Sequence, residues 1–167
     1  MNLPRPIRVV GVGSPLGDDA VAWEAIRQLR DRPGLPPGIE FFMVEGGQRV
    51  LELLDGRGTL VLVDAVAADD KPGMIYRFDW PDERIANLRP GSTHDLRPAE
   101  ALRLAAALGI APQHVLVYGI EIESLDHAPC LSPSVLAAVP ELVRQLAVEL
   151  EVEYARDVAV ARAAESN

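Results

Sequence analysis

Residues 59–66 (TLVLVDAV) constrain the fold more than any other part of this 167-residue chain. Nearly every position is apolar, without the polar alternation of a strand that has one face in water. Asp64 is the only charged residue in the segment. A continuous apolar strand of this kind is typical of a parallel sheet that helices cover on both faces.

Strand and helix patterns alternate on both sides of this segment, without internal repeats or linkers. The other predicted strands are residues 7–12, 39–44, 74–78 and 115–122. Predicted helices span residues 19–30, 49–54, 95–108 and 132–150. This alternation predicts one α/β domain over residues 1–167: a three-layer sandwich with a twisted, five-stranded, mostly parallel sheet and helices on both faces.

Several local features add detail to this prediction. The loop of residues 67–73 is too short for a parallel crossover, so we expect strands 59–66 and 74–78 to be antiparallel. Asp18 or Asp19 is expected to cap the first helix, and Pro140 to kink the last one. Residues 79–93 are predicted to be irregular. For residues 151–167, a helical extension and a frayed tail both remain open.

Composition and charge limit the classes of partner. Hydrophobic residues make up 49% of the chain and the formal charge is −9. An acidic chain without a basic stripe does not fit nucleic acid, and it equally disfavours an anionic membrane surface. No secretory segment or membrane-spanning run is evident. We therefore expect a cytoplasmic monomer whose partner is a protein or a cation.

Cys130 is the only cysteine, which excludes an internal disulfide and a zinc cage made of thiolates. His127 lies three residues before it, but no third group is evident that would orient a nucleophile pair. The familiar motifs of zinc peptidases and serine hydrolases are absent. Gly11 and Gly13 follow the first strand, but Leu16 stands where a dinucleotide-binding loop has its third glycine.

Three polar residues stand where the predicted sheet would present them at one edge. Asp19 follows the first strand, Asp64 lies near the end of the third, and His94 precedes a helix. Ligands of open α/β sheets bind outside the carboxyl ends of the strands. Two carboxylates and an imidazole suit a first-row divalent ion such as nickel or zinc, and three ligands leave positions open for a substrate.

Each of these residues also has a purely structural interpretation. Asp19 is equally well explained as a helix cap, and His94 with Asp95 as a hydrogen-bonded loop pair. Asp64 is harder to explain in this way, because an unpaired carboxylate inside an apolar strand costs on the order of several kcal/mol. From these residues alone, the metal site is the less favoured interpretation.

Six segments of the chain resemble the nickel-iron hydrogenase maturation endopeptidases, in order and over nearly the whole length. These are GVGSPLGDDAV at 11–21, EGGQRVLELL at 45–54, LVDAV at 62–66, STHDL at 92–96, GIEIESL at 119–125 and LSPSVLAAVPELV at 131–143. The chain departs from the usual family pattern in a shorter first loop with Ser14, in Glu45 and in Gln48.

The resemblance implies an aspartyl-type endopeptidase that removes the C-terminal extension of a hydrogenase large-subunit precursor. Asp19, Asp64 and His94 match the family's catalytic, nickel-contacting residues, and the pair Gly46–Gly47 matches glycines beside the same cleft. By the same resemblance, the nickel arrives with the substrate rather than being held by the free enzyme. Two alternatives are a non-catalytic nickel-binding chaperone and, less favoured, a nucleotide-binding module.

Overall fold

A mixed sheet forms the centre of the protein in the computed structural model, which describes residues 5–87, 89–90 and 96–166. Four strands are parallel: β1 (Ile7–Val12), β2 (Ile39–Val44), β3 (Thr59–Ala67) and β6 (His114–Glu121). Strand β4 (Ile75–Asp79) runs antiparallel to β6. The strand order is β2-β1-β3-β6-β4, and the two-residue strand β5 (Arg89–Pro90) pairs with the end of β3.

Four helices cover the two faces of this sheet. Helices α1 (Val21–Arg30) and α4 (Pro133–Glu165) pack together on one face, and α2 (Gly46–Glu52) and α3 (Pro98–Ala107) pack together on the other. The predicted three-layer α/β sandwich with one antiparallel strand is confirmed.

Strand β3 divides the hydrophobic core into two halves because successive side chains of a strand point to opposite faces. Val61, Val63 and Ala65 belong to the core under α1 and α4. Leu60 and Leu62 belong to the core under α2 and α3. The apolar run is therefore buried on both sides, as its composition predicted. Asp64 follows Leu62 on the face of α2 and α3.

Strand β4 has the predicted direction but a different neighbour. It pairs with β6, and the expected pairing with β3 is wrong. Both edges of β3 are already occupied, by β1 on one side and β6 on the other. The segment predicted to be irregular also contains a 3₁₀ turn at Glu83–Asn87, in addition to β5.

The helix boundaries correct several predictions. Helix α2 begins at Gly46 rather than at residue 49. Helix α3 begins at Pro98, because a residue that precedes proline disfavours helical geometry. Helix α1 begins at Val21 and has Ala20 as its N-cap, without a side-chain cap, so neither aspartate has the predicted capping role. Asp95 lies outside the described residues.

Helix α4 runs through Pro140 and continues to Glu165, so the tail extends the helix. Its second half buries acidic side chains against the sheet. Arg77 donates to both carboxylate oxygens of Glu149, at 2.5 and 3.0 Å, and the Tyr118 hydroxyl donates to the same group at 2.5 Å. These charge-assisted bonds compensate for burying the carboxylate. Within the part of the chain that the structure describes, no helix is long and apolar enough to cross a membrane.

Candidate functional site

The carboxyl edge of the sheet contains a crevice between β1 and β3. From β1 the chain continues through α1 on one face to β2, whereas from β3 it leads through α3 on the opposite face to β6, in the other direction along the sheet. Strand order reverses at this point, and open α/β sheets bind their ligands at such positions. Asp64 lies at the crevice because it is in register with Val12, the last residue of β1.

Asp19 reaches the same edge through a tight 3₁₀ turn, Gly17–Ala20, to which residues 13–16 connect β1. The backbone N–H of Ser14 donates to the Asp19 carbonyl at 3.4 Å, which folds the turn back onto the strand end. A Cβ atom on Gly13 would lie 2.1 Å from that carbonyl oxygen. The loop can therefore adopt this path only with glycine at position 13.

The carboxyl groups of Asp64 and Asp19 interact electrostatically. Burial, and to a smaller extent the negative charge of Asp19, together raise the pKa of Asp64 to about 8. Both side chains are only partly exposed, and like charges that lie close together disfavour the ionisation of one of the two groups. A bound cation would relieve this repulsion.

Asp18, the neighbour of Asp19, is buried and holds a distant loop in place. Its carboxylate accepts hydrogen bonds from the backbone N–H groups of Glu123, Ser124 and Ser132, at 3.0, 3.2 and 2.7 Å. It also accepts one from the Ser132 hydroxyl at 2.9 Å. Asp18 is only 2% exposed, and its carboxylate does not cap α1.

The loop that Asp18 anchors forms one wall of a small polar cleft in front of Asp19. Ser14 and Leu16 line the near side, and the far wall consists of Ile122, Ser124, Leu125, Asp126 and His127. Leu16 and Leu125 are among the large exposed hydrophobic residues of the protein. The cleft therefore combines acidic groups, an imidazole and exposed apolar side chains, a mixture that suits contact with another protein.

His127 is a residue that the sequence interpretation undervalued. The sequence suggests only a pairing with Cys130, which is exposed, whereas the structure brings His127 to the cleft of Asp19. Its position after β6, at the carboxyl edge of a parallel strand, is the signal that pointed to the cleft.

On the other face of the sheet, Asp64 lines an apolar groove. Leu62, Val66 and Val117 form its floor, and Ile85 and α3 form its sides. The structure therefore places Asp19 and Asp64 at the junction between a polar cleft and an apolar groove.

Helix α2 begins close to this junction. The backbone N–H of Gly47 donates to the Leu96 carbonyl at 2.8 Å, and a Cβ on Gly47 would come within 2.4 Å of that oxygen. Glycine thus lets α2 lie directly against the chain that leads into α3. His94 belongs to a stretch outside the described residues, so its position in the site stays a prediction. Among the side chains that are described, no group of three His, Cys, Asp or Glu residues is placed to hold a metal ion.

These features define a class: a three-layer α/β protein with paired carboxylates in a crevice at the carboxyl edge of its sheet. The sequence profile of the hydrogenase maturation protease family matches residues 36–149. The hydrogenase 2 maturation protease of Escherichia coli is 31% identical over 153 residues, which cover 86% of this chain and 90% of that protein.

Two further comparisons agree. The hydrogenase expression/formation protein HupD of Thiocapsa roseopersicina is 29% identical over 161 residues, covering 92% of this chain and 69% of that protein. The structure of the hydrogenase maturating endopeptidase HybD from E. coli superposes with a TM-score of 0.75 at 27% identity, covering 87% of this chain and 91% of that one.

The chain belongs to the hydrogenase maturation protease family, as its six segments predicted. It is an endopeptidase of hydrogenase maturation. The alternative of a non-catalytic chaperone is not favoured, because the similar proteins are described as proteases or endopeptidases.

Proposed function

We propose that the protein removes the C-terminal extension of a hydrogenase large-subunit precursor that already carries nickel. The observation that carries this proposal is the juxtaposition of two carboxylates at the switch point of the sheet. Asp64 lies level with the end of β1, and Asp19 follows that strand in the next turn. The protein relatives support a maturation protease, and the acidic pair supports a substrate that presents a cation.

In this proposal the nickel belongs to the substrate. Asp19, Asp64 and His94 offer carboxylate oxygens and one imidazole, which are acceptable ligands for nickel but include no thiolate. Cysteines of the precursor supply the sulfur ligands, and the enzyme's side chains occupy the remaining positions. Contact with the ion then fixes the position of the precursor's tail, which increases the rate through proximity.

The hydrolytic step uses the same carboxylates. One of them accepts a proton from the attacking water, as a general base positioned beside the scissile peptide. The water oxygen attacks the peptide carbonyl, and the departing amine takes up a proton as the C–N bond breaks. We propose that nickel acts mainly as a recognition mark, so that an incompletely assembled large subunit is left uncut.

Processing of two matched precursors tests this function. Nickel-loaded and nickel-free large subunits are incubated with the protein, and the products are weighed by mass spectrometry. We expect the loaded precursor to lose its C-terminal peptide and the nickel-free precursor to keep its full mass. An Asp19→Asn variant should leave both intact, whereas Arg144→Ala, a change on the exposed side of α4, should process normally.

Two outcomes would contradict the proposal. Equal cleavage of both precursors would show that nickel is not recognised, and an unchanged mass of the loaded precursor would exclude processing. The cytoplasmic location and the monomeric state also stay predictions, which cell fractionation and sedimentation of the purified protein would test.

A further inference from the structure

The apolar groove that begins at Asp64 is longer than the candidate site requires. Its first part has an empty volume of about 600 Å³ between the end of β3 and the first turns of α3. A second part, lined by Trp80, Pro81, Asp82 and Glu83, continues from it. Both parts share Ile85, Ala99 and Arg103. Together they form a path along the side of α3 that leads away from the candidate site.

The wall of this groove is mainly apolar. Leu62, Leu102 and Val117 are buried beneath it, and Ala99 leaves space because its side chain is small. Apolar linings of this size accommodate side chains of a ligand and gain free energy by removing them from water. The groove therefore suits an extended peptide with at least one apolar side chain near Asp64.

The rim beside Asp64 carries two exposed arginines, Arg97 and Arg103. Neither forms an ion pair within residues 5–87, 89–90 and 96–166. The acidic neighbour Glu100 accepts a hydrogen bond from the backbone N–H of Arg97, and Asp82 is paired with Arg84. Glu83 and Glu100 also line the groove, but neither is paired with these arginines in the described part of the chain, so the two guanidinium groups remain available to a carboxylate of a ligand.

We infer that this groove binds the part of the precursor that is cut off: an extended tail with an apolar side chain beside Asp64 and a carboxylate beside Arg97 and Arg103. The groove starts at one of the two candidate catalytic carboxylates, so a peptide that crosses the pair continues directly into it. The polar cleft of Asp19 and His127 lies on the other side and receives the nickel-bearing body of the precursor. The inference rests on the proposed function, and it adds the direction in which the substrate lies.

Site-specific photo-crosslinking tests this direction. Glu83, an exposed residue beside the second part of the groove, is replaced by p-benzoylphenylalanine, and the variant is irradiated with the nickel-loaded precursor. We expect adducts that peptide mapping assigns to residues C-terminal to the cleavage point. The same replacement at Arg144, on the exposed side of α4, should give no adducts with the tail. Adducts of position 83 confined to the body of the precursor, or no adducts, would overturn the inference.

Kinetics provide a second test that does not depend on the crosslinker. Arg103→Glu reverses the charge at the rim, and it should raise KM about tenfold, equivalent to about 1.4 kcal/mol, with kcat nearly unchanged. Arg144→Glu, the matched charge reversal on α4, should leave KM unchanged. An unaltered KM for Arg103→Glu would contradict the role of the rim.

The two proposals fail in different ways. If the native protein cuts no precursor, the proposed function is wrong, whatever position 83 contacts. If the native protein cuts the loaded precursor but position 83 contacts only the body, the function stands and the groove has been assigned incorrectly.

Discussion

Asp18 and Asp19 are adjacent in the sequence but have separate environments. The carboxylate of Asp18 is buried among four hydrogen-bond donors of residues 123–132, whereas Asp19 lines an open cleft. Of these two neighbouring residues, Asp18 therefore has a structural role and Asp19 is the candidate functional residue. Substitutions at the two positions should separate stability from activity.

Asp18→Ala should destabilise the fold strongly. It leaves three backbone N–H groups without their acceptor, which costs at least about 3 kcal/mol. In a domain of this size, we expect the melting temperature to fall by about 6 °C or more. Asp19→Asn should keep the melting temperature within about 2 °C and abolish processing. Calorimetry and the precursor assay measure the two effects, and equal destabilisation by both substitutions would contradict this division.

Asp64 should make the stability of the free protein depend on pH. Its folded-state pKa of about 8 lies above the ordinary value of 3.8, so the folded protein binds an extra proton between these values. The free energy of unfolding therefore decreases as pH rises from about 4 to 8 and then levels off. Asp64→Asn, which stays neutral, should raise the melting temperature by about 4 °C or more at pH 9.

At pH 5 the same substitution should have a much smaller effect, because native Asp64 is then protonated in the folded state. Thermal unfolding of both proteins at the two pH values provides the measurement. A difference in melting temperature that is the same at pH 5 and pH 9 would show that Asp64 does not titrate as described.

A single residue of the site could be predicted from the sequence only where it differs in character from its sequence neighbours. Asp64 was recognisable because it interrupts an apolar strand. The role of Asp18 was not recognisable, because the groups that bind it lie 105 to 114 positions further along the chain. The same applies to Arg103, which looks like an ordinary exposed helix residue until the groove beside it is known.

At the scale of elements, Gly47 determines how closely α2 approaches the chain before α3. Gly47→Ala would place a Cβ 2.4 Å from the Leu96 carbonyl, so one of the two segments must move. We expect a lower melting temperature and slower processing of the loaded precursor. Gln48→Ala, at the adjacent exposed position of the same helix, is the control and should leave both quantities unchanged. An equal effect of the two substitutions would contradict the role of the close contact.

The direction and boundaries of helices and strands were predictable where they depend on residues close together in the sequence. The loop before β4 was too short for a crossover, and β4 is indeed antiparallel. The neighbour of β4 depends on which strand edge remains free after the other strands have paired. The sequence near β4 does not show which edge this is. The sequence predicts a later start for α2 because glycines destabilise helices, whereas the close packing against Leu96 requires glycine at position 47.

At the scale of the whole molecule, the isolated protein should hold metal weakly. Oxygen and imidazole ligands bind transition metals less tightly than thiolates do, and Cys130 is the only cysteine. Elemental analysis after dialysis should therefore find nickel and zinc well below one ion per chain. A stoichiometric metal that survives dialysis, and whose removal stops cleavage, would indicate a conventional metalloprotease instead.

The global architecture was the most predictable level. Alternating strand and helix patterns around residues 59–66 leave few ways to bury the apolar surface, and the three-layer sandwich is one of them. The length of helix α4 was less predictable. Its second half packs on the sheet through pairs such as Arg77 with Glu149, which join residues that are far apart in the sequence.

The bonds of Asp18 also bear on how members of one enzyme family diverge. Glu123 and Ser124 lie at the start of the loop and Ser132 lies at its end. The carboxylate of Asp18 binds all three backbone N–H groups and so holds the two ends of the loop together. The residues between these points can change in sequence while the loop's two ends stay in place. We therefore expect that the loop tip of a relative can be transplanted, with Asp18 and Ser132 retained, without a loss of melting temperature, and processing of the two relatives' precursors would show whether substrate preference moves with it.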